Sequence, residues 1–366
     1  MRIATPLTDP IAIDALAATF DDLRPLAGGD SRALALRRAL LSGPLPALPK
    51  RIPGIGEATL APLRDRLSFP AGRVTSTLRA KDGTTKWAIE FGGGPSAETV
   101  LIPSRTRATV CVSSQSGCTR RCAFCATATM GFRRNLTAGE IVHQYLVARE
   151  AARDSGMEAS NVVFMGMGEP LDNLDAVLGA VRSFIDVFPG LSAKKVTVST
   201  SGVAPGMARF LKESRASLAL SLNATTDEVR TKLMPHNRTW PLASIISTLR
   251  DASARAPRRF FVEYVQLPGV NDSAEDARRI AALLFGLDCH VNVIPHNPFP
   301  GSPFKAPGRD DTLRFHGQIK AAGLAGIIRW PRGRDVSGAC GQLVIGGPQS
   351  GCSPAQPPEP PIAPGE

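Results

Sequence analysis

Cys118-Thr-Arg-Arg-Cys122-Ala-Phe-Cys125 decides how this chain is read. Three thiols stand in a C-x3-C-x2-C spacing, with Gly117 leading in and Met130-Gly131 leading out. Sulfurs this close serve one centre. A structural zinc site takes four protein ligands, so a trio leaves one place for Cys111 or a distant residue. An iron–sulfur cube held by three thiolates instead keeps one iron open for a ligand. The triad alone leaves both open.

Outward from the cysteines, apolar strands alternate with amphipathic helices. The strand candidates are Thr109 to Ser113, Val162 to Met165, Lys195 to Ser199, Ser217 to Ser221, Arg259 to Leu267 and His290 to Ile294. Helices such as Leu136 to Asp154, opened by a Thr137–Glu140 capping box, and Ser273 to Leu287 lie between them. Alternation repeated six times predicts an α/β fold with a parallel sheet and crossover helices, open or curled into a partial barrel. The cysteine loop then follows the C-terminal end of a strand, where such folds keep their active sites. Three more strands end in polar turns. Gly166-Met-Gly168-Glu169-Pro170 offers glycines for close backbone approach and a carboxylate for a ligand ammonium. Ser199-Thr-Ser-Gly202 and Ser221-Leu222-Asn223 offer hydroxyls and amides suited to ribose and carboxylate. Each could be a bare turn; together with the thiols they form a polar rim.

Upstream, residues 1 to 73 read as a small helical domain, with helical periodicity over Ile11 to Leu23 and Ser31 to Leu41. Ile52-Pro-Gly-Ile-Gly56 before a helix over Ala58 to Leu67 resembles a helix-hairpin-helix turn, which can meet a phosphate. Residues 74 to 107 form a β extension: Val74 to Leu78, a Lys81-Asp82-Gly83 turn, Thr85 to Phe91, and Glu98 to Ile102. The barrel spans 108 to 346, and the proline-rich tail over 347 to 366 buries too little to fold. A formal charge of +11 favours a polyanionic partner, and aromatic residues at 5% argue against an extended stacking platform for single strands. No apolar run is long enough to span a membrane and no secretory signal opens the chain, so a cytoplasmic protein is expected. Seven cysteines, clustered, fit metal and redox chemistry better than extracellular staples. Cys340, within Gly338-Ala-Cys-Gly-Gln-Leu343, follows Arg329, Arg332 and Arg334, whose charges are expected to lower its pKa. Cys289 reads as a buried small hydrophobe and Cys352 as incidental.

Six motifs in order carry a resemblance over residues 74 to 346: Cys111-Val-Ser-Ser-Gln-Ser-Gly-Cys118 through Cys125, Gly131-Phe-Arg-Arg-Asn135-Leu, Met165-Gly-Met-Gly-Glu-Pro170, Ser199-Thr-Ser-Gly-Val203, Ile294-Pro-His-Asn297-Pro-Phe-Pro-Gly301 and Ala339-Cys-Gly-Gln-Leu343. The chain resembles the RlmN/Cfr family of radical S-adenosylmethionine (SAM) RNA adenine methyltransferases. That resemblance implies a six-stranded partial (β/α) barrel with a small N-terminal helical domain. It implies a [4Fe-4S] cluster on Cys118, Cys122 and Cys125, and two SAM molecules per turnover. SAM contacts fall at Gly168, Glu169, Ser199, Ser221, Leu222, Asn223 and Asn297. By the same resemblance Cys340 takes a methyl group from one SAM, a radical from a second activates it, and Cys111 resolves the protein–RNA adduct as a Cys111–Cys340 disulfide. Glu98 matches the proton acceptor. The implied substrate is C2 of an adenosine in 23S rRNA, with an anticodon-loop adenosine of tRNA as a second target. A flavodoxin-type reductase system as electron donor and a monomeric state complete the expectation. The rivals are methylation at C8, of the antibiotic-resistance type, and a zinc-stapled RNA-binding protein without catalysis. Two departures stand out: Asn223 where the family often has histidine, and Pro331-Arg332-Gly333 where it commonly has Thr-Arg-Gly.

Overall fold

The structure is a computed structural model, and it describes residues 13–42, 48–70, 72–256 and 258–344 of the chain. The tail expected over 347–366, Cys352 and the start of the first helical segment at Ile11 lie outside the described residues.

At the N-terminus, β1 (Ile13–Asp14) is followed by α1 (Phe20–Ala27), α2 (Asp30–Ser42), α3 (Glu57–Arg66) and β2 (Leu67–Ser68), which pairs in parallel with β1. The helix expected from Ile11 begins only at Phe20. Asp14 is the reason: its carboxylate accepts from the N–H groups of Leu16 (3.0 Å) and Ala17 (3.3 Å), a local turn that competes with helix. Thr19 then caps α1 through a capping box with Asp22. Leu23, Leu36, Leu60 and Leu63 gather the three helices around a small core of their own. Leu16 and Leu41 belong instead to the main core, so this unit is packed onto the rest of the chain.

The main sheet opens with an antiparallel run of β3 (Gly72–Arg79), β4 (Thr85–Phe91), β5 (Ala97–Ser104) and β6 (Arg107–Cys111). A short hairpin of β7 (Gln115–Gly117) and β8 (Phe132–Asn135) then brackets the cysteine loop. Gly117 is required there: at φ +75° a Cβ would sit 1.8 Å from the Gly131 carbonyl oxygen. After it come α4 (Ala138–Asp154), β9 (Glu158–Phe164), α5 (Leu174–Val187), β10 (Val196–Thr200), α6 (Ala204–Glu213), β11 (Ser217–Ser221), α7 (Asp227–Leu233), α8 (Leu242–Arg255), β12 (Phe260–Gln266), α9 (Ala274–Leu284), β13 (Cys289–Pro295), α10 (Arg309–Ala321) and β14 (Ala325–Ile328).

From β6 through β9 to β14 every neighbouring pair is parallel, which makes an open partial barrel extended at one edge by β5, β4 and β3. Six parallel strands were expected and a seventh, β14, is present. It escapes a sequence reading because Ala-Gly-Ile-Ile is short and carries a glycine. Val110, Val162, Val198, Leu218, Val262 and Val291 are fully buried, as strands covered on both faces require. Cys289 lies in this core, as its apolar strand suggested. The turn at Asp82 latches the β extension to the segment that carries Cys340. Its carboxylate accepts from Arg332 Nε (2.8 Å) and the Gly333 N–H (3.0 Å). No helix among the described residues is long and apolar enough to cross a membrane.

Candidate active site

A cavity of about 910 Å³, counted out to its open mouth, lies at the C-terminal ends of the parallel strands. Cys118, Cys122 and Cys125 line one wall and Cys340 with Gly341 another. Between them stand Gly168 and Glu169 after β9, Ser199 on β10, Ser221 and Asn223 at the end of β11, and Asn297 after β13. Sequence-separated motifs meet here because parallel strands bring all their C-terminal ends to one face. Leu222, Cys111 and Glu98 do not line the cavity. Leu222 is fully buried beneath it, its N–H donating to the Glu263 carbonyl.

The polar rim is held by its own members. Gly168 turns at φ +102° against Gln115, whose Cβ would lie 2.6 Å from any added side chain. Glu169 spends its carboxylate on the protein: one oxygen accepts from Thr200 Oγ1 (2.8 Å) and the Leu171 N–H (3.1 Å), the other from the Ser201 N–H (2.8 Å) and Oγ (2.6 Å). A ligand ammonium would meet it only by sharing or displacing one of these. Ser199 and Ser221 hydroxyls face each other at 3.3 Å. Asn223 sits at φ +56°, a left-handed conformation that Asn and His adopt more readily than other side chains. Its Oδ1 accepts from the Val265 N–H at 2.9 Å.

Sequence reasoning missed Arg230 and Glu263. Arg230 on α7 is fully buried and donates to the carbonyls of Ser201 (2.5 Å), Ser221 (3.1 Å) and Leu222 (3.0 Å) and to Asn237 Oδ1 (2.8 Å). One guanidinium therefore ties the Ser199-Thr-Ser-Gly202 and Ser221-Leu222-Asn223 turns together, which a lone arginine on a charged seven-residue helix does not advertise. Burial lowers its pKa to about 10. Glu263 on β12 lines the cavity floor, where Asn292 donates to it at 2.7 Å. Burial raises its pKa.

Cys340 is ringed by protein yet open to solvent through the cavity. Its neighbours correct one expectation. Burial first, and then the charge of Glu263, push the thiol up to about 11, outweighing Arg329. Arg332 is turned away to Asp82, whereas Arg334 stays at the rim and donates to Asn297 Oδ1 at 3.0 Å. The segment is docked by Thr127 Oγ1 donating to the Leu343 carbonyl (2.8 Å), by Gln342 Nε2 to the Pro298 carbonyl (2.8 Å) and by Asn297 Nδ2 to the Cys340 carbonyl (3.3 Å). Cys111 lies behind the wall, packed with Val100, Met167 and Leu343. Burial, with the charge of Cys340 next, raises its pKa. Glu98 is buried. It lies inside β5 and pairs with Lys86 Nζ at 2.9 Å, with the two side chains only 3% and 2% exposed. Burial raises its pKa and Lys86 opposes the rise.

The cysteine loop suits an iron–sulfur cluster by its donor chemistry: three cavity-facing thiols from one loop. Burial pushes the Cys118 thiol up to about 12 and raises Cys122 and Cys125 too, so metal charge is what would discharge their protons. Among the described residues no three Cys, His, Asp or Glu side chains are grouped so as to hold a single metal ion.

Residues 112–281 match the Radical SAM superfamily. The dual-specificity RNA methyltransferase RlmN of Alkalilimnicola ehrlichii is 45% identical over 292 residues, 79% of this chain and 81% of that protein. Its namesake from Marinobacter nauticus is 46% identical over 271 residues, 72% of this chain and 73% of the other. The crystal structure of a radical SAM methyltransferase from Sphaerobacter thermophilus superposes with a TM-score of 0.80 at 37% identity, covering 91% of this chain and 99% of that one. A zinc-stapled protein without catalysis does not fit these matches. The chain belongs to the RlmN family and is a radical SAM RNA methyltransferase that works with a [4Fe-4S] cluster and SAM.

Proposed function

We propose that this enzyme methylates C2 of an adenosine in 23S rRNA, and an anticodon-loop adenosine of tRNA, with Cys340 carrying the methyl group and Cys111 releasing the product. The observation that supports this best is Cys340 opening onto the same cavity as Cys118, Cys122 and Cys125, with Cys111 packed behind the wall against Leu343 of the Cys340 segment. C2 of adenine is electron-poor and is no nucleophile, so transfer from a sulfonium alone fails. When bound, the cluster and SAM supply the methyl group and a carbon radical that activates it.

Within that chemistry the chain's own groups have separate tasks. The Cys340 sulfur holds the methyl group as a thioether and presents its carbon to the base, so protein and RNA become covalently joined. Glu98 accepts the proton lost from C2 as aromaticity returns. It stands behind the cavity wall, so the proton reaches it by relay. The Cys111 thiolate then bonds to the Cys340 sulfur as the Cys340 sulfur–carbon bond breaks; the released methylene carbon takes up a proton to become the product's methyl group, and the adduct's unpaired electron would pass back to the electron carrier. Both thiols are now a disulfide, which an external reductant reopens. Gly168, Glu169, Ser199, Ser221, Asn223 and Asn297 hold SAM, with Leu222 packed beneath them as support, and the target adenosine leaves its stack to enter. We assign residues 1–73 to RNA contact, 74–107 to the β extension and 108–346 to the barrel, in a cytoplasmic monomer fed electrons by a flavodoxin-type donor.

Cys111→Ala should accumulate a protein–RNA adduct on a denaturing gel, and Cys340→Ala should form none. Equal adduct in both variants rules out these roles. Nucleoside mass spectrometry of the product separates C2 from C8.

A further inference from the structure

A second groove, of about 1900 Å³ out to its mouth, runs along the seam between α2 and the α4–α5 pair. It lies at the opposite end of the sheet from the catalytic cavity. Its walls are the C-terminal ends of α4 and α5 and the segments that lead into β10 and β11, which meet at the N-terminal ends of the strands. Arg38, Arg149, Arg153, Lys194 and Arg215 line it, against one acid among the described residues, Asp186, which already faces Arg37 at 3.6 Å. Arg149 and Arg153 share Glu150, at 3.2 and 3.0 Å, and Arg149 stacks on Phe188 with 5.3 Å to the ring centre. Arg38, Lys194 and Arg215 are exposed, and none of the three side chains has a hydrogen bond or ion pair among the described residues. Like charges converging on one concave surface repel one another, and a polyanion lying between them relieves that repulsion.

We propose that this seam groove binds the phosphodiester backbone of the substrate RNA at a point remote from the target adenosine. The inference rests on RNA as substrate and is independent of which carbon is methylated. Strands of five to seven residues separate the two ends of the sheet by roughly 20 Å. A short hairpin whose tip fills the cavity does not reach round that distance, whereas a large folded RNA does. The groove would therefore favour the intact folded substrate over fragments that carry the same target base.

The test is binding of the full-length enzyme, carrying its cluster, to two RNAs: a short hairpin bearing the target adenosine, and the folded 23S rRNA domain that contains it. The variant is Arg38→Ala/Lys194→Ala/Arg215→Ala. Losing three phosphate contacts lowers the salt slope by about 2 to 3. Between about 50 and about 200 mM salt, wild-type affinity for the folded domain should then fall some 20- to 40-fold further than that of the variant. Hairpin affinity and methylation of Cys340 without RNA should match wild type. An unchanged slope on the folded domain overturns the proposal, and so does an equal loss on the hairpin. An unchanged slope together with slower reduction by an acidic electron-donor protein assigns the groove to a protein partner instead.

Discussion

The Lys86–Glu98 pair offers the sharpest test of how the catalytic segment is supported. Both side chains are almost wholly buried, and Glu98 Oε2 has no hydrogen-bond partner among the described residues. Lys86→Met leaves an uncompensated carboxylate in the core, which costs about 3–5 kcal/mol. With an unfolding entropy of about 2.1 cal/mol/K per residue, that lowers Tm by about 4–7 °C for a chain of this length. Glu98→Gln, which strands the ammonium, should cost a similar amount. Lys86→Met/Glu98→Leu replaces the whole pair with apolar volume and should recover to within about 1–2 kcal/mol of wild type, because the desolvation of both charges is avoided. Differential scanning calorimetry of the four proteins measures these differences. Single variants that melt within a degree of wild type, or a double variant no better than the singles, refute the reasoning. The same double variant tests chemistry: folded but lacking the carboxylate, it should bind RNA and fail to release methylated product if Glu98 takes the proton.

Arg230→Met leaves three backbone carbonyls and Asn237 Oδ1 unsatisfied, at about 1–3 kcal/mol for each buried group that finds no other partner. Urea midpoints should fall and SAM affinity with them, and Arg230→Lys should not rescue because an ammonium cannot span the four acceptors. A wild-type midpoint in either variant counts against the strut. His143 is 1% exposed with neither ring nitrogen hydrogen-bonded among the described residues, and burial lowers its pKa to about 4. The unfolded chain therefore takes up the proton first. Stability contributed by the neutral ring is complete above about pH 6.5 and is lost as the pH falls toward 4. His143→Leu should flatten that part of the stability–pH curve, and an equally steep curve in the variant would exclude His143 as its source.

The order of the parallel strands β6 and β9 to β13 was legible because each is a short apolar run, and the rim turns because β6, β9, β10 and β11 run into glycine or hydroxyl residues. The periodicities of helix and strand are local properties. The hairpin β7–β8 was not, since Gln115–Gly117 and Phe132–Asn135 are polar and pair only because Gly117 lets Gly131 approach. Thiol spacing and sequence order led to the cysteines and Cys340. Their settings did not follow, because Arg332, near in sequence, points to Asp82 while Glu263, from another strand, stands near Cys340. Arg230 gave no signal at all: its function is its burial, which depends on α7 packing beneath the rim. Glu98 shows the same limit from the other side, since a carboxylate at a strand start looks solvated until Lys86 is laid against it.

The central claim is that Cys340 carries the transferred carbon. Reconstituted enzyme incubated with SAM, without RNA, and then digested for tandem mass spectrometry should show one added methyl group on the peptide containing Cys340 and none on the peptide containing Cys111. An unmodified Cys340 in protein that cleaves SAM, or a methyl group mapped to any other cysteine, would contradict the account.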